Sequence, residues 1–149
     1  MPGSTILVAV ALAAAGVNAL AAAIGGLRWW QVEPSRAFWV LARLGQAASV
    51  GLALVAGALA LRGFDPQDGL LWLYALLPVA VGFVAEQLRI ASALQVLDRR
   101  GLPDAAAVGG LPERDQRSVV RAIVRREMGV MTAGAAVVAF LALRAASVA

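Results

Sequence analysis

Four apolar runs, each of membrane-spanning length, take up most of a chain of 149 residues. A hydrocarbon layer about 30 Å thick is crossed by a helix of about 20 apolar residues. The runs fall at about 5–27, 37–61, 70–97 and 118–144. The turn Gly63-Phe64-Asp65-Pro66-Gln67-Asp68-Gly69 separates the second from the third, with Gly, Asp and Pro as its punctuation. Composition agrees, because 61% of residues are hydrophobic and only 15% are charged, a membrane profile. The expectation is a single all-α domain over 1–149, an integral membrane protein built as a four-transmembrane-helix bundle. The first run has no positive residue ahead of it and is followed by Arg28, so it reads as a retained span and not as a secretory signal.

The basic residues orient the bundle. All 13 are arginines. Arg28 and Arg36 flank the first loop, and Arg99, Arg100, Arg114, Arg117, Arg121, Arg125 and Arg126 surround the third. The opposite side holds only Arg62 and Arg144, near Asp65 and Asp68. The positive-inside rule then puts the first and third loops in the cytoplasm and both termini outside, in a plasma membrane of bacterial type. Trp29, Trp30 and Trp39 near one boundary and Trp72 near the other suit aromatic belts. This topology accounts for a pI of 11.3 without nucleic acid.

The third and fourth segments are longer than a bilayer requires, and they predict a cytoplasmic helical hairpin over about 95–125. Pro112 suits a first helical position, and Glu113 and Asp115 complement the positive end of the helix dipole. Arg114, Arg117, Arg121 and Arg125 then share one face, with Val119, Val120, Ile123 and Val124 broadly opposite. Three uses compete for this helix: extension of the fourth span, contact of the arginines with anionic lipid, or docking to a partner protein. Extension is favoured, with Ile90, Leu94 and Leu97 packing against the fourth helix and Asp98 meeting one of its arginines.

Small residues every fourth position mark expected helix contacts: Gly45, Ser49, Ala53 and Gly57 in the second span, Gly129 and Ala133 in the fourth, Ala14, Asn18 and Ala22 in the first. They suit packing inside one bundle, or a homo-oligomer. Pro78 removes a ladder donor and predicts a kink near Tyr74 to Pro78.

The anomaly is Glu86-Gln87-Leu88-Arg89, an acid and a base within the third run. An ionisable side chain at a bilayer centre costs roughly 2.5 to 3.5 kcal/mol on insertion scales. At 1.5 Å per residue Arg43 lies about 9 Å inside one boundary, and Glu86 lies about 24 Å from the other, which brings the two near one level. Gln46 is one turn deeper than Arg43, Asn18 falls at a similar depth, and Glu127 sits at the mouth of the fourth span. On the third helix Gly82, Glu86, Arg89 and Ala93 share a face. A polar cluster of Asn18, Arg43, Gln46, Glu86, Arg89 and Glu127 in the inner half is the result.

Two functions follow from different states of Glu86. Paired with arginine, it is a lock that sets helix register in a non-catalytic subunit or scaffold, the favoured reading. Unpaired and protonatable, or outnumbered by arginines, it suits a small oligomeric transporter or channel for a polar or anionic solute. With no Cys and no His, thiolate and imidazole chemistry are excluded, no metal-ligand spacing is present, and neither an enzyme nor a cofactor is expected.

Overall fold

A computed structural model describes residues 2–66 and 68–149, and these form four long helices: α1 (Pro2–Gln31), α2 (Arg36–Leu61), α3 (Leu70–Arg99) and α4 (Glu113–Val148). A short 3₁₀ segment, Ala106–Gly110, lies between α3 and α4. Gln67, within the expected turn, lies outside the described residues. All four helices are long and apolar enough to cross a membrane. α1 packs on α2 and α4, α3 packs on α4, and the seam between α2 and α3 is the most sparsely packed of the four.

Alanine dominates the core. Leu7, Ala11, Ala14, Leu52, Ala56, Leu71, Ala75, Ala142 and Ala145 form one buried cluster, at the end of the bundle near the α2–α3 turn. Phe38, Ala42, Ala85, Met128 and Met131 form a second, towards the other end. Side chains this small let helix backbones approach, so contact is made by close van der Waals packing.

The buried stripes follow the helical period and not a fixed spacing of four. On α2, Gly45 and Ser49 are buried, but Gly57 has nothing within 4 Å of where a Cβ would sit, and the stripe continues through Leu52 and Ala56. A repeat of four overshoots a turn of 3.6 residues, so each step carries the next residue about 40° around the helix. Ala133 on α4 is exposed for the same reason. Pro78 is buried within α3, which stays helical through it from Leu70 to Arg99.

At the arginine-rich end α3 and α4 form an antiparallel hairpin in which the arginine segment continues α4 without a break. Its core is Val96, Leu97 and Val119, with Leu102, Val108, Leu111, Ala122 and Ile123 around them. This corrects the expected packing: Ile90, Leu94 and Val120 point outward. The face that meets α4 is the one carrying Glu86, Arg89 and Ala93, and another turn along it leads to Val96 and Leu97. Asp98 makes no ion pair among the described residues. Instead Arg126 donates to Gln95 Oε1 at 2.6 Å and Arg100 donates to Ser118 Oγ at 3.0 Å. Pro112 is the N-cap of α4, one residue ahead of the expected first helical position.

Three helices end the same way. After α2 the Phe64 amide donates to the Leu59 carbonyl and Gly63 to Ala60; after α3 Leu102 donates to Leu97 and Gly101 to Asp98. After α1 Glu33 donates to Arg28 and Val32 to Trp29. Each is a Schellman closure, which needs a left-handed residue just past the cap. Glycine fills that place at Gly63 (φ 82°) and Gly101 (φ 65°), but Val32 (φ 54°) fills it after α1. A β-branched residue there is strained, by about 1 to 3 kcal/mol. Val32→Gly relieves the strain while adding chain entropy, so thermal unfolding in detergent is expected to show a net gain of about 1 kcal/mol. A loss of stability would mean that the Val32 side chain contributes more by packing than its backbone costs.

Candidate polar site between α2, α3 and α4

Five of the six polar residues singled out in the sequence meet at one level of the bundle. Glu86 is the centre. Its Oε1 accepts from Arg43 Nη1 at 2.6 Å and from Gln46 Nε2 at 2.9 Å, and its Oε2 accepts from Arg89 Nε at 2.9 Å. Arg43 also donates to Gln46 Oε1 at 2.8 Å, which fixes the amide that faces Glu86. Arg89 reaches across to α4, where Glu127 Oε1 accepts from its Nη1 at 3.3 Å. The guanidinium of Arg89 also lies over the Trp39 ring, 5.7 Å from its centroid, so Trp39 is a cation–π partner as well as a boundary aromatic.

The helices set this geometry. Arg43 and Gln46 are one turn apart on α2, as are Glu86 and Arg89 on α3, so each pair presents two polar groups on one face. The Glu86 and Arg89 side chains are only 20% and 24% exposed, whereas that of Arg43 is 56% exposed at the rim. Two arginines therefore meet two glutamates. Glu127 balances a cluster that otherwise holds one acid and two bases. Arg89 bridges Glu86 on its own helix and Glu127 on α4.

Asn18 does not join the ion network. Its Nδ2 donates to the Ala14 carbonyl at 2.9 Å and to the Gly45 carbonyl at 3.2 Å, tying α1 to α2. Ser49 donates back to the same Gly45 carbonyl at 2.9 Å. Gly45 is required here by space, since a Cβ would come within 2.5 Å of Asn18 Oδ1.

A cavity of about 250 Å³ adjoins the network on the α2–α3 seam. Glu86 and Gln46 are at one end, Pro78 and Val138 at the other, and Asn18 and Met131 lie deeper. Two sequence features point to it: Gly82, one turn from Glu86, leaves space where a side chain would stand, and Pro78 lines the far end.

The four arginines Arg114, Arg117, Arg121 and Arg125 are all exposed on α4. Arg117 pairs with Glu113 within its own helix. No cluster of three or more metal-ligating side chains occurs among the described residues. Comparisons with known protein families, curated proteins and solved structures gave no match.

Gly45→Val drives a branched side chain into Asn18 and separates α1 from α2. It is expected to lower unfolding stability by about 1 to 3 kcal/mol, read as a fall in the thermal midpoint in detergent, with Gly57→Val as the control that leaves it unchanged.

Proposed function

We propose that this chain is a non-catalytic integral membrane subunit or scaffold whose polar network locks the register of its four helices. The observation that carries this reading is that Arg89 holds Glu86 on its own helix and Glu127 on α4, while Arg43 and Gln46 of α2 complete the Glu86 shell. In an apolar surround the alternative to each of these bonds is an unsatisfied charge, so one arrangement of α2, α3 and α4 is selected over slipped or rotated ones. A carrier for a small polar or anionic solute has less support. The charges are balanced, and the adjoining cavity is lined mainly by apolar side chains.

Both termini lie outside in this reading, and the α3–α4 hairpin lies in the cytoplasm, where the exposed stripe of Arg114, Arg117, Arg121 and Arg125 meets anionic headgroups or a partner protein. Each arginine near such a surface contributes about 1 kcal/mol of attraction.

The lock is tested by Glu86→Gln. Loss of the carboxylate leaves Arg43 with Gln46 alone and Arg89 with Glu127 alone, and the thermal stability in detergent is expected to fall by about 1 to 3 kcal/mol. Little change, or a gain, would mean that Glu86 serves something other than register. The orientation is tested independently, because the chain has no cysteine of its own. An impermeant maleimide is expected to label Asp65→Cys in intact cells and Asp104→Cys only after lysis. The opposite pattern inverts the topology.

A further inference from the structure

The cavity on the α2–α3 seam has a direction. It runs along α3 from Glu86 past Gly82 to Pro78, eight residues and about 12 Å of helix. Val50, Val79 and Phe83 line it and are exposed on the bundle surface, so the cavity opens sideways between the two helices and not along the bundle axis. The polar end faces the arginine-rich hairpin and the apolar end faces the middle of the bundle. A lipid chain in the inner leaflet has the same polarity.

We infer that this cleft binds a neutral single-chain amphiphile, its aliphatic part against Val50, Val79 and Val138 and its hydroxyl at Glu86. The choice of a neutral headgroup rests on the lock reading, in which Arg43 and Arg89 already balance Glu86 and Glu127. An added cation or anion leaves net charge in an apolar place. The choice of a hydroxyl comes from hydrogen-bond capacity. A carboxylate has about four acceptor positions. Two donors occupy Oε1 and one occupies Oε2, so one position on Oε2 is left. Gln46 Nε2 uses one N–H on Glu86 and keeps a second. A hydroxyl donates to the first and accepts from the second, which neither a quaternary ammonium nor a carboxylate does. The other donors lining the cleft are engaged, since the Asn18 amide N–H groups go to the Ala14 and Gly45 carbonyls and the Ser49 hydroxyl to the Gly45 carbonyl, so Glu86 with Gln46 is where a hydroxyl finds an acceptor and a donor together.

The test uses the full chain in phosphatidylcholine nanodiscs, titrated with monodecanoylglycerol, decanoate and decyltrimethylammonium, with native mass spectrometry counting bound molecules and thermal unfolding reporting affinity. Saturable binding of one monodecanoylglycerol is expected, at least about tenfold tighter than either charged analogue. In Gly82→Leu the new side chain fills the cleft, and affinity is expected to fall by about tenfold or more. A Cβ at Gly82 meets only Gln46 Cγ, at 3.9 Å, so the first side-chain atom is accommodated and the rest of the leucine extends into the cleft. Equal binding to wild type and Gly82→Leu, or equal binding of a charged analogue, overturns the proposal, as does no binding of monodecanoylglycerol. Should Gly82→Leu fail to fold, the ranking of the three amphiphiles on the wild-type chain decides alone. The lock is read separately from the unliganded stability of Glu86→Gln, so failure of one is distinguishable from failure of the other.

Discussion

Glu86 accepts three hydrogen bonds from side chains of two helices, and Arg89, one of those donors, carries the link on to a third. Much of the remaining core is alanine beside a few leucines, methionines and Phe38, and small apolar side chains let helices come close but do little to fix how far one is slid along another. A buried charge differs because its partners must be at one height and one azimuth. Moving α2 by a turn, about 5.4 Å, breaks the bonds of Arg43 and Gln46 to Glu86, and moving α4 by a turn breaks the bond between Arg89 and Glu127. In the proposed lock, the network selects a register among many that close packing alone would tolerate. Asn18 does the same for α1 with an amide, and Gly45 allows it by having no side chain.

The loosest seam lies beside this strongest interaction. α2 and α3 meet through Arg43, Gln46 and Glu86, and beyond that contact they part around a cavity. A rigid polar clasp at one end and open apolar space beyond it are complementary features. The clasp holds the two helices at a set separation, and the small residue at Gly82 leaves the gap unfilled. The strained backbone at Val32 is at the same end of the molecule, where α1 turns into α2.

Much of the site was legible because helical rise is constant. Counting 1.5 Å per residue from the ends of apolar runs brings Arg43 and Glu86 to one level with no knowledge of packing. Counting cannot supply azimuth between helices. Asn18 was placed at a suitable height, yet it turns towards Gly45 and bonds to backbone. Ile90 and Leu94 had helical spacing with Leu97, yet the helix rotates them outward, because the face of Arg89 and Val96 meets α4 instead. Glu127 was seen only as a neighbour at the mouth of the fourth span, and its bond to Arg89 changes the charge balance of the whole cluster.

The sequence by itself determined the class of structure: four helices of membrane-crossing length, the breaks between them, and the presence of charge within the third. These are local properties, set by hydropathy, by glycine and proline in turns, and by the rise of one helix. The tertiary structure decided which charges meet, which small residues are contacts, and where space remains. Those depend on how each helix is rotated about its own axis against its neighbours, and rotation is settled by all the contacts together, with the Glu86 shell contributing the most direction-dependent of them.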